Sequence, residues 1–284
     1  MQRIHHIIHK FYDLTAPYYE PAITPIMLPL ARDLVATTPL PDASTVLDLG
    51  TGTGALARCA ANGHRRVIGI DNNLSMLRIA ESLRRTHRWP GVRFVHADAY
   101  EIAIFPAHSC DAVLASFSLS EGVPEKILRA VRRVLRPGGV LAIQEWGPHD
   151  RNNDPRWLVD RVLHSQQPEI EPPMLDEIEE ALETVFPWQM QMQDADDYRN
   201  ALTESGFEVI SSQEFKPVTL HLPIQMFIDY CLAWLPRRIY FDALSMRQRM
   251  AALRRMEAAL RDRESRRDEL IWAPTLFRAV AIRR

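Results

Sequence analysis

The sequence predicts an α/β fold built on a doubly wound, mainly parallel seven-stranded sheet, and three observations support this prediction. Short apolar runs alternate with helical patterns from residue 45 onward, which is typical of βαβ units. The first run ends in a glycine-rich turn, which suits a chain that leaves a strand and enters a helix within a few residues. With 46% hydrophobic and 25% charged residues, the chain also has the composition of an ordinary globular protein.

Seven apolar and β-branched runs predict the strands of this sheet. They are Thr45–Leu49, Arg66–Ile70, Val92–His96, Asp111–Ser116, Val140–Gln144, Phe207–Phe215 and Leu276–Arg283. Helices are predicted near 54–62 and over 74–88. A third helix ends at Pro137-Gly138-Gly139, a proline and glycine terminator, and its apolar face consists of Ile127, Leu128, Val131, Val134 and Leu135.

This pattern divides the chain into three segments. Residues 1–40 have helical patterns with proline interruptions, and we interpret them as an N-terminal helical lid. Residues 41–146 contain the first five strands and form the predicted binding core. Residues 147–284 hold the last two strands and two helical insertions. Because loops at the carboxyl ends of strands build the binding crevice of open α/β sheets, we expect the insertions to form a substrate cap.

Charge and cysteine content disfavour several classes of protein. The 34 basic and 36 acidic residues give a formal net charge of −2, whereas a protein that binds a polyanion normally carries a basic surplus. We therefore expect no nucleic-acid partner. The three cysteines form no CxxC pair, and neither a signal peptide nor a membrane span is recognisable, so the expected location is the cytoplasm. The histidines near the start of the chain lack an acid or cysteine to complete a site, so no metal is expected.

The chemistry is concentrated where the first strand ends, in Val46-Leu47-Asp48-Leu49-Gly50-Thr51-Gly52-Thr53-Gly54. Glycines supply positive φ and a bare backbone on which a ligand can lie. They fit two cofactors, because Gly50-x-Gly52-x-x-Ala55 also satisfies the dinucleotide fingerprint, with Asp71 available for a ribose hydroxyl. Asp48 stands two residues before the first glycine. Its carboxylate would repel a pyrophosphate and attract an ammonium group, which favours a cofactor with an amino-acid end.

Five motifs in a fixed order carry a family resemblance. They are VLDLGTGTG, VIGIDNNLSML, FVHADAYEI, DAVLASFSLSEG and VLRPGGVLAI. On these motifs the sequence resembles the class I S-adenosylmethionine-dependent methyltransferases, in particular the small-molecule branch called type 11 or UbiE-like. The resemblance covers residues 12–146 well, and beyond it only the late strands and Ser205-Gly206-Phe207 are family-like. It implies a Rossmann-like methyltransferase fold with S-adenosyl-L-methionine as cofactor.

The resemblance implies roles for the residues of the glycine-rich turn. Gly50, Gly52 and Gly54 would pass the methionine end and the ribose of the cofactor. Asp48 would help to hold its amino group, and Asp71 would accept both ribose hydroxyls. Asp71 as a plain strand-end cap is the structural alternative.

Further cofactor contacts are implied at the next strand ends. Asn72 and Met76 would lie beside the adenine, Asp98 would meet its amino group, and the amide of Ala99 would meet a ring nitrogen. The sulfonium would have its own neighbours. These are Ser116 and Phe117 after the fourth strand, and Tyr19 closing over the cofactor with Tyr18 as the alternative. Packing without ligand contact is an equal interpretation for these last four residues.

The resemblance further implies methyl transfer to a small, partly apolar metabolite as the acceptor, and it leaves an O, C or N acceptor open. Base-amine methyltransferases carry an (Asn/Asp)-Pro-Pro-(Tyr/Phe) element after strand four, whereas this chain has Ser116-Phe117-Ser118-Leu119. A general base is needed only if the nucleophile must lose a proton. Among residues near predicted strand ends, His149 is the first candidate and Glu145 the second.

The cap and the activity keep alternatives. An aromatic cluster around Phe227 and Trp234 could pack a core or line an apolar acceptor pocket, and Arg237 and Arg238 could hold an acceptor carboxylate or lie on the surface. A second function is a non-methyl reaction such as cyclisation by a cofactor-binding enzyme of natural-product biosynthesis. A third is a non-catalytic regulatory protein, and a homodimer is compatible with each.

Overall fold

The structure, a computed structural model, describes residues 10, 12–119, 122–147, 154–168, 188, 191–234, 236–264 and 269–284. The chain forms two compact units. The larger unit comprises Met27–Pro148, Phe186–Pro217 and Thr275–Arg284, and the smaller comprises Met1–Ile26, His149–Val185 and Val218–Pro274. Each unit is therefore assembled from three separate stretches of sequence.

The larger unit contains a seven-stranded sheet. Its strands are β1 (Thr45–Leu49), β2 (Arg66–Asp71), β3 (Val92–His96), β4 (Cys110–Ser116), β5 (Leu135–Trp146), β6 (Phe207–Phe215) and β9 (Leu276–Arg283). They are ordered β3-β2-β1-β4-β5-β9-β6, and only β9 runs antiparallel to its neighbours. The predicted seven-stranded, mainly parallel sheet is confirmed.

The strand order places a topological switch point between β1 and β4. From β1 the chain proceeds outward to β2 and β3, and then crosses back to β4 on the other side of β1. Ligands of open α/β sheets bind outside the carboxyl ends of the strands at such a point. The ends of β1 and β4 are therefore the place where a site is expected.

The helices follow the strands of the two units. In chain order they are α1 (Thr24–Thr37), α2 (Ala55–Ala60), α3 (Leu74–His87), α4 (Pro124–Val134), α5 (Pro155–His164), α6 (Ala195–Glu204), α7 (Ile224–Ala233), α8 (Arg237–Ala243) and α9 (Met246–Glu264). A π-helical turn, Tyr19–Ile23, precedes α1. Within the described part of the chain we find no helix with the length and apolar character that crossing a bilayer requires.

Apolar layers cover both faces of the seven-stranded sheet. Successive strand residues point to opposite faces, so neighbours such as Val46 and Leu47 belong to different layers. The first layer includes Leu34, Val46, Leu56, Val67 and Leu114, and the second includes Leu47, Ile68, Val113, Leu128 and Tyr198. Burial on both faces accounts for the nearly continuous apolar strand sequences.

The end of α4 differs from the sequence-based prediction. The predicted helix includes Leu135, whereas α4 ends at Val134 and β5 starts at Leu135, which is extended with φ −65° and ψ 143°. Arg136 precedes Pro137, and a residue before proline is disfavoured in the helical conformation. The ladder also reaches further back than Val140, because Leu135 pairs with Cys110.

The smaller unit contains a two-stranded sheet that the sequence does not predict. β7 (Leu220–Pro223) and β8 (Glu269–Trp272) pair in antiparallel orientation, with Leu220 opposite Trp272. The second insertion, between the last two predicted strands, is predicted to be helical, and that prediction is wrong at both of its ends. Each strand has only four residues, too few for a period of two to be recognised, and the pairing joins residues far apart in sequence.

Candidate functional site

The turn after β1 requires glycine at three positions. Gly50, Gly52 and Gly54 have φ of 62°, 55° and 89°, in the left-handed region that other residues rarely adopt. A Cβ on Gly50 would lie 2.4 Å from the Cβ of Ser118, and one on Gly54 would lie 2.8 Å from the ring of Phe94. The glycines therefore serve both the turn itself and the close approach of neighbouring elements.

Asp48 places a buried carboxyl group at the start of this turn. Its side chain is buried, and the Thr51 hydroxyl donates a hydrogen bond of 2.6 Å to its Oδ2. Burial, and to a smaller extent the charge of Asp71, raises the pKa of the Asp48 carboxyl to about 7 in spite of the Thr51 hydrogen bond. A cationic group bound beside it would restore the charged form.

Asp71 ends β2 and is held by two backbone amides. The amide of Gly52 donates to its Oδ2 at 2.8 Å, and the amide of Asn73 donates to its Oδ1 at 2.8 Å. These contacts fix the carboxylate against the glycine-rich turn. Asp71 therefore caps the end of its strand, and its predicted contact with the ribose hydroxyls would involve the same carboxylate.

The amides of the glycine-rich turn are engaged inside the protein. Besides the Gly52 amide, the Thr51 amide donates to the Ile70 carbonyl at 2.8 Å, and the Gly54 amide donates to the Thr51 carbonyl at 2.8 Å. In dinucleotide-binding turns such amides contact the pyrophosphate. Here these three donors are already used, so the turn presents few amides to an anionic ligand.

The residues after β2 and β3 lie at the same edge of the sheet. Met76 is buried, and Asn73 caps α3 by accepting from the Met76 amide at 2.9 Å. The Asn72 carbonyl lies 3.0 Å from Nε2 of His96, and the Ala97 amide donates to the Asp71 carbonyl at 3.1 Å. Asp98 and Ala99, both half-buried, follow directly.

The segment after β4 is held by the end of β5. Phe117 has a φ of 56°, its amide donates to the Gln144 carbonyl at 2.9 Å, and its ring lies 4.5 Å from that of Trp146 between centroids. The amides of Ser118 and Leu119 donate to Oε1 of Glu145 at 3.0 and 3.1 Å. Three consecutive residues of β5 thus hold three consecutive residues after β4.

Glu145 is a buried carboxyl group beneath this segment. Only 4% of the residue is exposed, and burial raises the pKa of Glu145 to about 7, against the two amide hydrogen bonds that favour the charged form. The pKa suits proton transfer near neutral pH. The geometry also gives this carboxylate a second use, since its Oε1 holds the backbone of the β4 segment. Its catalytic role stays a prediction.

Three candidates remain, of which two belong to the smaller unit and one is not among the described residues. Tyr19 belongs to the smaller unit, where its ring meets the edge of Trp234 with centroids 6.3 Å apart. Tyr18 in the same unit stacks under the guanidinium of Arg238, 4.3 Å from the ring centroid. His149, the first candidate for a general base, lies outside the described residues.

The arginines offered for an acceptor carboxylate already have partners in the smaller unit. Arg237 donates to Oδ2 of Asp160 at 2.7 Å, and Arg238 donates to Oδ2 of Asp242 at 2.7 Å. The aromatic cluster near them is packed, since Phe227 and Tyr230 are buried against Trp272. Among the described residues, no group of three His, Cys, Asp or Glu side chains could hold a metal ion.

Sequence reasoning missed several residues of this edge. Asn73, not named as a cap, stands immediately before α3, where the pattern of an asparagine before a helix could have indicated it. Gln144 and Arg278 are buried polar residues within apolar strands, and that interruption was the available signal. Trp146 and Ser118 offered no local pattern, because their role comes from contacts between strand ends.

Comparisons with known proteins agree with this geometry. Residues 47–143 match the family model described as a methyltransferase domain. The chain is 39% identical to the trans-aconitate 2-methyltransferase of Azoarcus sp. (strain BH72) over 118 residues, covering 40% of this chain and 44% of that protein. It is 39% identical to the demethylmenaquinone methyltransferase of Clavibacter sepedonicus over 102 residues, covering 36% of this chain and 40% of the relative.

The matched region spans less than half the length of these two relatives. Among solved structures, the YcgJ protein from Bacillus subtilis superposes with a TM-score of 0.53 at 17% identity, covering 90% of this chain and 97% of that one. At this identity the likeness shows the fold alone. Over residues 47–143 the chain therefore carries a methyltransferase domain, on the class I, Rossmann-like methyltransferase fold.

Proposed function

We propose that this protein binds S-adenosyl-L-methionine at the carboxyl ends of β1 to β4 and transfers its methyl group to a small, partly apolar molecule. The observation that carries the proposal is the turn after β1. Its Thr51, Gly52 and Gly54 amides are used internally, while a buried carboxyl group, Asp48, faces the start of the turn. That arrangement suits a ligand with an ammonium group and disfavours a pyrophosphate.

Each strand end would contribute one part of the cofactor site. Asp48 would hold the amino group, and the three glycines would let the ligand lie against bare backbone, which a Cβ at Gly50 or Gly54 would disrupt. Asp71, already oriented by two amides, would accept the ribose hydroxyls. Asn72 and Met76 would flank the adenine, with Asp98 and Ala99 at its polar edge. Ser116, Phe117 and Tyr19 would lie near the sulfonium.

When bound, S-adenosylmethionine supplies an electrophilic methyl group on a positively charged sulfur. The protein's task is then to align the acceptor with that group and to exclude water. The β4 segment is suited to alignment, because Glu145, Gln144 and Trp146 hold it in one conformation. Where the acceptor must lose a proton, Glu145 or His149 would take it, and Glu145 has the pKa of about 7 that such a role needs.

The nature of the acceptor is inferred from composition and from the smaller unit. A net charge of −2 supports a small molecule over a nucleic acid. Pairing of Arg237 and Arg238 with aspartates leaves an apolar acceptor better supported than a carboxylate-rich one.

The proposal that the two helical insertions form a substrate cap rests on their place in the sequence, since each follows a strand of the large sheet. A reducing location such as the cytoplasm is supported by three free cysteines, and a monomer or a homodimer remains compatible.

Ligand binding tests the cofactor assignment directly. Isothermal titration should give micromolar affinity for S-adenosylmethionine and S-adenosylhomocysteine, and no binding of NADH. Asp71→Ala should weaken binding of both by about 100-fold, since two hydrogen bonds to a charged acceptor are lost. Asp42→Ala is the matched control, because the Asp42 side chain is 95% exposed and Asp42 precedes β1, at the opposite end of that strand from the glycine-rich turn.

Transfer itself is tested with methyl-labelled donor and cell extract. Label in a small organic product supports methyl transfer, whereas tight binding without transfer favours a non-methyl reaction. Binding of NADH in place of either S-adenosyl ligand would overturn the proposal.

A further inference from the structure

A row of polar side chains crosses three neighbouring strands on one face of the sheet. Ser116 on β4 pairs in register with Gln144 on β5, and Gln144 pairs in register with Arg278 on β9. Gln144 is fully buried, and Arg278 is only 4% exposed. On α1, Asp33 and Thr37 extend the row, with Arg278 Nη1 lying 2.7 Å from Asp33 Oδ2 and 2.8 Å from Thr37 Oγ1. The row thus runs from a helix to the end of β4.

The hydrogen-bonding partners of the Gln144 amide fix its orientation. Arg278 can only donate, so the atom that its Nη2 meets at 2.8 Å must be the carbonyl oxygen Oε1. The other end of the amide must then be Nε2, and it lies 3.3 Å from the Leu30 carbonyl, which can only accept. Both neighbours demand the same orientation, so an amide flip is excluded.

This orientation leaves Ser116 with a hydrogen to donate. Gln144 Nε2 donates to Ser116 Oγ at 2.8 Å, so the serine oxygen is the acceptor in that bond. A hydroxyl has one hydrogen of its own. Within the described part of the protein, Ser116 Oγ donates to no acceptor. Ala115 pairs with Leu49, so Ser116, the last residue of β4, lies beside Gly50 at the start of the glycine-rich turn.

Burying this row of polar side chains costs free energy, which indicates a role other than stabilising the fold. Its neighbours on this face are apolar, including Leu34, Ala142 and Val280. Buried ion pairs and amides in such surroundings are often replaceable by apolar residues with no loss of stability. Asp33 Oδ2 and Arg278 Nε even lack a hydrogen-bond partner among the described residues, so the row is better explained by the orientation that it imposes on its members than by stability.

We propose that Arg278 and Gln144 are positioning residues that hold the Ser116 hydroxyl as a hydrogen-bond donor to a carboxylate oxygen at the amino-acid end of the ligand. The inference rests on the proposed function, because the position beside Gly50 and Asp48 is where that end of the ligand would lie. It adds a carboxylate contact to the amino-group contact of Asp48. It also assigns a role to β9, which lies two strands away from Ser116 in the sheet order.

Gln144→Glu is the sharpest test. The substituted side chain has nearly the same shape and still accepts from Arg278, but it offers Ser116 only oxygens. The Ser116 hydrogen is then drawn towards the new carboxylate and away from the ligand. We expect affinity for S-adenosylhomocysteine to fall about 10-fold or more, with a lower melting temperature because the amide's bond to the Leu30 carbonyl is lost. Ser116→Ala should give a similar loss, and Gln144→Glu should have no further effect in the Ser116→Ala background.

Decarboxylated S-adenosylmethionine identifies the ligand group. It keeps the amino group and lacks the carboxylate, so its affinity should be unchanged by Gln144→Glu and by Ser116→Ala. Gln248→Glu controls for added charge, because Gln248 is a half-buried residue of the smaller unit whose side-chain oxygen would still accept from the Ser245 amide, with loss only of the bond from its Nε2 to the Gln167 carbonyl. If Gln144→Glu does not fold, Arg278→Met replaces it in the cycle, since it removes the donor that holds the Gln144 oxygen and leaves the amide oriented by the longer Leu30 contact.

The outcomes separate the two proposals. If wild-type protein binds neither S-adenosyl ligand, the proposed function fails and the inference with it. If wild-type protein binds S-adenosylhomocysteine and Gln144→Glu binds it equally well, only the positioning inference is overturned. Additive losses in the double variant, or equal losses for the decarboxylated ligand, overturn it as well.

Discussion

The carboxyl edge of the sheet has two halves that are held together in different ways. At β1 and β2, Asp71 accepts from the amides of Gly52, 19 residues before it, and of Asn73, two residues after it. At β4 and β5, Ser116 is oriented through Gln144 by Arg278, 134 residues further along the chain than Gln144. The first half is built within one strand–helix–strand segment, and the second by side chains from strands far apart in sequence. A donor site can therefore be encoded by short motifs, while its fine orientation depends on distant strands.

Gly50→Ala should have the largest effect, because Gly50 lies where the two halves touch. The new Cβ would lie 2.4 Å from Ser118 Cβ, at a φ of 62° that L-residues rarely adopt. Strain and overpacking together predict a loss of roughly 2–5 kcal/mol in the free energy of unfolding. Urea denaturation measures this loss, and titration with S-adenosylhomocysteine should show no measurable binding.

Gly63→Ala is the matched control for that variant. Gly63 has a φ of 88°, and a Cβ there would meet no atom within 4 Å. Only backbone strain remains, so we expect a loss of about 1 kcal/mol. Equal losses of unfolding free energy in Gly50→Ala and Gly63→Ala would show that the close approach of Gly50 to Ser118 adds nothing to the backbone strain.

Glu145 in the second half should make stability depend on pH. Burial raises the pKa of Glu145 to about 7, so the folded protein binds a proton that the unfolded chain releases near its ordinary pKa of 4.5. Stability should therefore fall as pH rises from about 4.5 to about 7 and level off above that range, by about 3 kcal/mol at most. Urea denaturation at several pH values measures the slope.

Glu145→Gln should flatten that slope, because its amide oxygen still accepts from Ser118 and Leu119 but does not titrate. Asp48 contributes a slope of the same sign, since burial also raises its pKa to about 7. A residual slope is therefore expected in Glu145→Gln. An unchanged slope would contradict the assignment to Glu145.

Asp48 in the first half should make ligand affinity, rather than stability alone, depend on pH. A ligand ammonium group binds the ionised carboxylate, so binding releases a proton below the pKa of about 7. Affinity for S-adenosylhomocysteine should rise about fivefold from pH 6 to pH 7 and about twofold more above pH 7 before it levels off. Titration in buffers of different ionisation enthalpy detects the released proton.

Asp48→Asn is the control for this dependence. It still accepts from Thr51 but carries no charge, so its affinity should be lower and should not change with pH. If the variant shows the wild-type pH profile, another group is responsible.

Much of the fold follows from patterns that act over a few residues. The alternation of apolar runs and helical faces predicts all seven strands of the large sheet, and it fails where elements are short, as at β7 and β8. Helix periodicity also runs one residue too far at Leu135, since it does not register the restraint that Pro137 places on Arg136. Predicted site residues stand at strand ends, because the carboxyl ends of parallel strands meet at one edge.

The sequence by itself determined the chemistry of the edge: three glycines with positive φ, and an acid at the end of each of the first two strands. These features depend on backbone sterics and strand length, and a short stretch of sequence is enough to predict both. Only the tertiary structure decided that the turn amides are occupied, that Glu145 holds the β4 segment, and that Arg278 orients Ser116 through Gln144. Those properties arise from burial and from contacts between distant strands. No local pattern specifies them, because the same residues are unremarkable until the sheet brings them together.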